Sequence, residues 1–270
     1  MYTQLFKHGS TDGRPTPKIA VLQPAHQTIV RPSKYQEQLV SLHMISPNAV
    51  IRTTRAGGRF LRRVISKDIS NYVTFGSGAP RLYERIWVDP RMCRSMTTEF
   101  QWDDFGTVVG GDWDLNTAPL LQDPRFSAAV AHWRDGIPWA STGIYDHVLQ
   151  TIAKYGHHYG PGRNWTSHDD VVRRYQDLDE IFGHVNQQGR FKTQAELSRL
   201  HFREAGGVLF HIDRELNPVF GGWGAHRLAI AITTDLPVIP AWVGVVHRKS
   251  QSAWRDRYSQ QAAQRDSDNK

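Results

Sequence analysis

The sequence predicts a mixed α+β domain, in which a small mixed sheet with its helices carries a helical insertion. Three observations favour this class. Short apolar runs such as 208–212 and 238–246 have the length and composition of buried strands. The run 225–234 between them is apolar on nearly all sides and predicts a buried helix. The stretch 116–205 shows mainly helical spacing of its apolar residues, so we expect the insertion there.

Composition narrows the class of partner without choosing one. The chain has 270 residues, enough to bury a sizeable core, and 33 Lys and Arg against 26 Asp and Glu. This excess of positive charge favours anionic partners: nucleotide, nucleic acid, phosphorylated glycan or an acidic membrane surface. The single cysteine excludes an internal disulfide framework and suits a reducing compartment.

The sequence shows no targeting or spanning signal. No run approaches the roughly 20 apolar residues that a transmembrane helix requires. The first residues also lack the apolar core of a signal peptide. We therefore expect a cytoplasmic protein, either free or peripheral at the membrane.

Residues 1–80 are predicted to form an N-terminal arm followed by a basic amphipathic segment. Pro, Gly, Thr and Gln are frequent in 1–34, and 35–45 suits a short helix. The basic segment after it has no acid and places most of its cations on one helical face, although Gly57-Gly58 weakens the helix. It is a candidate surface for anionic lipid or nucleic-acid phosphates, or else a solvated face whose apolar side packs on the core. Its cations are Arg52, Arg55, Arg59, Arg62, Arg63 and Lys67.

Two strand patterns precede the insertion. The first covers 82–88 and ends at a proline, and the second covers 107–109 and is followed by two glycines. Asp112 and Asp114 come next, and carboxylates two residues apart at a strand end can point to the same side. Such a pair suits Mg²⁺ together with nucleotide phosphates, or supplies a general base. The alternative is a turn in which Asp112 caps the segment after it.

The insertion contains four helical patterns, over 124–134, 141–155, 169–186 and 193–203. The loop between the second and third carries His157-His158, which we expect at the surface. Polar residues of the last helix, namely Glu196, Arg199 and Arg203, either face the nucleotide or are solvated. The end of the chain, 251–270, is predicted to be a polar tail, with Trp254 and Tyr258 on a short helix.

The stretch 206–247 predicts a hairpin, a glycine turn, a buried helix and a closing strand. Gly221, Gly222 and Gly224 allow the backbone to turn tightly, and His226 with Arg227 falls in the first turn of the helix. Free N–H groups and the helix dipole at such a turn attract anions. The alternative is a hairpin packed on a helix, with glycines for steric reasons and Arg227 in a structural ion pair.

The run Phe220–Arg227, F-G-G-W-G-A-H-R, resembles the nucleotide-binding signature of the ParB/sulfiredoxin superfamily. The closer similarity covers about 206–247, and a looser one begins at E-R-I-W-V-D-P, residues 84–90. The resemblance implies a ParB/sulfiredoxin-like domain over 81–250, with the helical insertion at about 116–205. It also implies that the loop and helix bind the phosphates of ATP or CTP.

Two departures from the signature argue against two branches of that superfamily. Sulfinate reduction requires a thiolate in the loop, where this chain has Ala225, and Cys93 is distant in sequence. Partition proteins carry further DNA-binding and dimerising modules, for which the residues after 247 are too few. Of the branches of this superfamily, the free serine kinases are the ones that the signature of this chain resembles best.

The sequence thus predicts a nucleotide-dependent phosphotransferase that uses ATP or another nucleoside triphosphate with Mg²⁺ and acts on a small hydroxyl compound or a glycan. By the resemblance, His226 and Arg227 stabilise the transferring phosphoryl group, and Asp112 and Asp114 hold the metal or act as base. The nucleotide-binding residues are Gly221, Gly222, Gly224, Ala225, His226 and Arg227. The alternatives are a nucleotide-gated module that binds DNA or membrane without catalysis, and a ParB-like nuclease with metal at the same carboxylates.

Overall fold

The computed structural model describes residues 50–159, 164–198 and 201–258. They form a mixed α+β fold, as the sequence predicts. The predicted helix at 35–45 and the arm before it lie outside the described residues. Among the described helices, none is long and apolar enough to cross a membrane.

The main sheet is mixed, and its longest strand lies near one edge. In chain order its strands are β1 (Arg85–Val88), β2 (Ser95–Met96), β3 (Val108–Val109), β4 (Ala118–Pro119), β7 (Val208–Ile212), β8 (Pro218–Phe220) and β9 (Ile239–His247). Across the sheet the order is β1-β9-β7-β8-β2-β4, and β3 pairs with the end of β9. Strands β7 and β9 run parallel, whereas β8 returns antiparallel to β7 with Phe210 opposite Phe220. A separate two-stranded sheet joins β5 (His158–Tyr159) to β6 (Asn164–Trp165).

Strands β7 and β9 are buried on both faces, which explains why they read as continuous apolar runs. Alternate side chains enter different clusters. Phe210 and Val243 belong to the larger cluster, which includes the buried helix after the glycine turn. Leu209 and Trp242 face the other side, where they pack in the cluster of Tyr83.

Five helices follow the early strands, and their ends show the expected capping chemistry. They are α2 (Pro124–Asp135), α3 (Ile144–Tyr155), α4 (His168–Gln188), α5 (Gln194–Leu197) and α6 (Ala225–Thr233). Asp123 caps α2, Ser167 forms a capping box with Asp170 at α4, and Thr193 does the same at α5. The described residues of 116–205 thus contain mainly helices, besides β4 and the small β5–β6 sheet.

Helix α1 (Val50–Phe75) runs without a break through Gly57-Gly58, so burial of one face outweighs the low helix propensity of glycine. Val64 is fully buried in the cluster of Tyr83. Arg63 pairs with Asp103 at 2.8 Å, and Lys67 donates a hydrogen bond to the Trp102 carbonyl at 3.3 Å. Two of the predicted surface cations therefore hold the helix to the core, while Arg62 is exposed. The side chains of Arg52, Arg55 and Arg59 lie outside the described residues.

Two segments differ from the sequence-based prediction. The helix expected over 193–203 covers only Gln194–Leu197, and Ser198 is extended. The expected polar tail is packed against the core as far as its aromatic residues, because Trp254 and Tyr258 are 1% and 2% exposed. Arg255 fastens this segment through two hydrogen bonds to Glu84, of 3.1 and 2.9 Å.

Candidate anion site at the start of helix α6

The glycine loop, residues 221–224, is held tightly between β8 and α6. The Gly221 N–H donates to the Leu209 carbonyl at 2.9 Å, and the Leu209 N–H donates to the Trp223 carbonyl at 3.0 Å. Gly222 and Gly224 have φ of 85° and 83°, which favour glycine. A Cβ at Gly224 would also lie 2.9 Å from the Cα of Val208. Each glycine thus has a steric reason, so the loop alone does not indicate a ligand.

The first turn of α6 leaves its N–H groups free. Gly224 is the N-cap residue, and no side chain caps the helix. The first backbone bond of the helix is from the Leu228 N–H to the Gly224 carbonyl. Within the described residues, the N–H groups of Ala225, His226 and Arg227 therefore have no partner. They carry the positive end of the helix dipole and are available to an anion.

A cationic cluster, which we define as Arg125, Arg174, His226 and Arg227, surrounds this turn. Arg125 donates to the Gly222 carbonyl at 2.9 Å and pairs with Asp123, so it fastens the loop to α2. Arg174 has a buried Nε without a hydrogen-bond partner. Arg227 lies over the Phe191 ring, with its Cζ 5.9 Å from the centroid. Among the described residues, Arg227 donates no hydrogen bond and forms no ion pair within 4.0 Å.

His226 is the most strongly perturbed member of the cluster. Burial, aided by the charges of Arg174 and Arg125, lowers the pKa of His226 to about 3. Its ring lies 5.6 Å from that of Tyr175 in a T-shaped contact. Its Nε2 is buried and has no hydrogen-bond partner. A neutral imidazole with an unsatisfied nitrogen beside two arginines is a costly arrangement that an anion would relieve.

The arginines at this site repel one another, which also indicates that an anion would stabilise it. Burial lowers the pKa of Arg227, and the charge of Arg174 lowers it further, against the attraction of Glu204. Burial also lowers the pKa of Arg174. The positive charge around the first turn of α6 is therefore only partly compensated by protein groups.

The structure places Asp112 and Asp114 elsewhere. They follow β3 and bind Arg214, just after the end of β7; Nη2 of Arg214 lies 2.7 Å from an oxygen of each carboxylate. The glycine loop is beside the start of β7, because Gly221 bonds to Leu209. The length of β7 separates the two groups by roughly 13 Å at about 3.3 Å per residue.

The carboxylate pair does not fit a magnesium centre. Arg214 donates to both oxygens of Asp114 through its backbone N–H, Nε and Nη2, at 2.7 to 3.0 Å. The Arg214 hydrogen bonds lower the pKa of Asp114 to about 2. Among the described residues, no three His, Cys, Asp or Glu side chains are grouped to hold a metal ion. These contacts favour a structural role for the pair, although Asp112 makes no side-chain capping bond to the segment after it and pairs with Arg214 instead.

Other polar residues singled out from the sequence have structural partners. Glu196 pairs with Arg190 at 2.7 Å and closes the capping box of Thr193. Arg203 pairs with Asp68 at 2.6 Å. Arg199 lies outside the described residues. His158 stacks on Trp165, with ring centroids 5.1 Å apart, and its charge also lowers the pKa of His226.

Sequence reasoning missed Arg125, Arg174 and Glu204. A signal exists for Arg174, since it falls between Val171 and Leu178 on the buried face of α4. An arginine within an apolar stripe predicts a buried charge that needs an anion. Neither Arg125 nor Glu204 has such a signal, because their positions depend on contacts distant in sequence.

No family model, curated protein or solved structure matches this chain. The resemblance to the ParB/sulfiredoxin superfamily therefore remains an expectation from the motif.

Proposed function

We propose that the chain binds the phosphates of a nucleoside triphosphate at the start of α6 and transfers the terminal phosphoryl group to a small hydroxyl compound or a glycan. One observation carries the proposal: polar groups without a hydrogen-bond partner in the protein meet at the glycine loop. They are the first N–H groups of α6, the buried His226 Nε2, the buried Arg174 Nε and the unpaired Arg227 guanidinium. Such a set suits a polyphosphate, which presents many acceptor oxygens and several negative charges.

The proposed transfer needs little covalent chemistry from the protein. The hydroxyl oxygen of the acceptor bonds to the terminal phosphorus, the bond from that phosphorus to the bridging oxygen breaks, and the nucleoside diphosphate leaves. The hydroxyl proton passes to solvent. Arg174 and Arg227 stabilise the negative charge on the transferring group, and the α6 N–H groups hold the phosphates that remain.

The carboxylates Asp112 and Asp114 have no role in these steps. Asp112 and Asp114 are occupied by Arg214 and lie at the other end of β7, so we do not assign them to metal or to base. A cytoplasmic location, where nucleoside triphosphates are abundant, belongs to this proposal.

Calorimetric and thermal-shift titrations with ATP, CTP and GTP, each with and without Mg²⁺, test the proposal. A ligand that binds only the folded state raises the melting temperature. We expect Arg174→Gln and Arg227→Gln each to weaken binding at least ~10-fold, since each removes a charge-assisted contact. Arg173→Gln is the matched control, because Arg173 is the exposed neighbour on α4. Equal nucleotide affinity in the wild type and the three variants would contradict the proposed site. The transfer itself is tested by measuring release of nucleoside diphosphate in the presence of pools of hydroxyl compounds.

A second candidate is a nucleotide-gated module that binds an anionic membrane without catalysis. The observation in its favour is an exposed apolar stripe on α1, next to the exposed Arg62: Leu61, Ile65, Ile69, Tyr72 and Val73. Nucleotide-stimulated sedimentation with vesicles containing phosphatidylserine, lost in Ile69→Asp, would favour it. Binding unaffected by nucleotide or by that substitution would exclude it.

A further inference from the structure

A cavity of about 320 Å³ opens near the beginning of β1, and none of its lining residues belongs to the glycine loop. Its size is at the low end for a small-molecule site. We name it the arginine cavity; its lining residues are Arg81, Glu84, Arg85, Ala195, His201 and Arg203.

Part of the charge in the arginine cavity is already compensated. Arg203 is bound by Asp68, and Glu84 is bound by Arg255 at 2.9 Å. Arg85 is different: its guanidinium donates no hydrogen bond among the described residues, and its closest acidic oxygen is 3.8 Å away. Arg81 is 61% exposed and lies 3.7 Å from Glu84. The guanidinium groups of Arg85 and Arg81 therefore make only long ion pairs with protein carboxylates, at 3.8 and 3.7 Å.

The acidic group closest to Arg85 is Glu204, which is fully buried. Glu204 Oε1 accepts a hydrogen bond from the Gln194 N–H at 3.1 Å, while Oε2 is buried without a hydrogen-bond partner. Burial raises the pKa of Glu204, and the charges of Arg85 and Arg227 oppose that rise. Glu204 is thus attracted by one arginine of the cavity and by one arginine of the cationic cluster.

Glycine contacts also connect Glu204 to the glycine loop. A Cβ at Gly207 would lie 3.2 Å from Glu204 Cγ, and a Cβ at Gly224 would lie 3.3 Å from the Gly207 carbonyl. The backbone of 204–207 is therefore packed between the buried carboxylate and the glycine loop.

We propose that the arginine cavity is a second anion site, which binds the dianionic group of the acceptor while the cationic cluster binds the nucleotide phosphates. This assignment of substrate class rests on the proposed function. Arg85 and Arg81 contact the ligand, while the buried Glu204 attracts Arg85 and, without a direct contact, Arg227. The substrate is a small hydroxyl compound that carries either a phosphate monoester or two carboxylates, since both present paired anionic oxygens to arginine.

Three probe anions separate the two sites. Inorganic phosphate and succinate represent the two sources of a dianion, and tripolyphosphate represents the nucleotide. Amide shifts in ¹H–¹⁵N spectra report on 82–85 and 201–204 for the arginine cavity, and on 222–227 for the glycine loop. We expect phosphate or succinate to shift the first group, and tripolyphosphate to shift the second.

Substitutions then assign the contacts. Arg85→Gln should weaken binding of the preferred small dianion at least ~10-fold and leave tripolyphosphate affinity unchanged. Arg81→Gln should weaken it in the same direction and keeps the test valid if loss of Arg85 unfolds the chain. Arg94→Gln, at an exposed position after β1, is the control.

The outcomes distinguish the two proposals. Unchanged affinity for the small dianion in folded Arg85→Gln and Arg81→Gln would overturn the arginine cavity as an anion site. This conclusion does not depend on the affinity for tripolyphosphate. Loss of tripolyphosphate binding in Arg227→Gln, with small-dianion binding retained, supports two separate sites. Tripolyphosphate binding that survives Arg227→Gln and Arg174→Gln would instead overturn the proposed function. A preference for phosphate or for succinate identifies the class of acceptor.

Discussion

At the scale of single residues, the strongest indication of a ligand is the state of His226. An imidazole whose Nε2 is buried without a hydrogen-bond partner, near Arg125 and Arg174, is unfavourable for the protein alone. Asp123 attracts the charged form, yet the pKa of His226 is still lowered to about 3. Natural structures rarely leave such a group unsatisfied unless it has a function.

Proton uptake on binding tests this interpretation of His226. Because its folded pKa lies below the ordinary 6.5, the neutral imidazole stabilises the fold above about pH 6.5, and this stability is lost as the pH falls toward 3. A bound polyphosphate favours the charged form and raises the pKa. We therefore expect ATP binding at pH 6 to take up protons, measured by calorimetry in buffers of different ionisation enthalpy.

The control for that measurement is His226→Gln, which keeps a polar group but cannot titrate. Arg174, Arg125 and His158 oppose protonation of His226 in both the free and the bound protein. Proton uptake or release by ATP itself is the same for the wild type and for His226→Gln, so it cancels in the comparison. Equal uptake in the wild type and in His226→Gln would show that His226 does not face the anion.

Gly224 supports a second prediction at this scale. Gly224→Ala places a side chain at φ 83° and within 2.9 Å of the Val208 Cα, so we expect a loss of about 2 kcal/mol in the free energy of unfolding. Gly183→Ala is the opposite control: Gly183 lies in α4 with no atom within 4 Å of an added Cβ, so alanine should stabilise by about 0.5–1 kcal/mol. Denaturant unfolding measures both, and a neutral Gly224→Ala would contradict the packing of the glycine loop.

At the scale of elements, β7 separates a structural charge cluster from the candidate site. Asp114, Arg214 and His247 lie past its end, where the His247 Nε2–H donates to the Gly111 carbonyl at 2.9 Å. The cationic cluster lies near its beginning. We therefore expect substitutions past the end of β7 to change stability, and substitutions near its beginning to change ligand binding.

Asp114→Asn should destabilise the fold without changing nucleotide affinity. The substitution removes the charge of the main carboxylate partner of Arg214, so the free energy of unfolding should fall. Denaturant unfolding and ATP calorimetry, compared with Asp112→Asn at the more exposed partner, check this. If folded Asp114→Asn loses ATP binding, Asp114 takes part in nucleotide binding and the separation of the two groups is wrong.

The same cluster predicts acid sensitivity. The pKa of Asp114 is lowered from 3.8 to about 2, so its contribution to stability is present above about pH 4 and is lost as the pH falls toward 2. Thermal unfolding between pH 5 and 2 should show this loss in the wild type. The loss over this window should be smaller in Asp114→Asn.

The sequence predicts the elements better than it predicts the site. The hairpin, the glycine turn, α6 and β9 follow from local patterns, since short strands and a buried helix have clear apolar runs. The partner of Asp114 does not follow, because Arg214 is 100 residues away in sequence and pairing depends on the sheet order. Arg125 and Glu204 were missed for the same reason.

At the scale of the whole molecule, the sheet and the helical insertion together enclose the start of α6. Helix α2 supplies Arg125, α4 supplies Arg174, and α6 supplies His226 and Arg227, so the candidate site exists only when the insertion is folded onto the sheet. The predicted mixed α+β class is confirmed, while the ParB/sulfiredoxin-like fold remains a prediction.

The sharpest test of the anion site is a calorimetric titration with tripolyphosphate. It compares the wild type, Arg174→Gln, Arg227→Gln and the control Arg173→Gln. We expect saturable binding at one site in the wild type and in Arg173→Gln, and affinity at least ~10-fold weaker in each of the other two variants. Absence of binding in the wild type, or identical affinity in all four proteins, would contradict it.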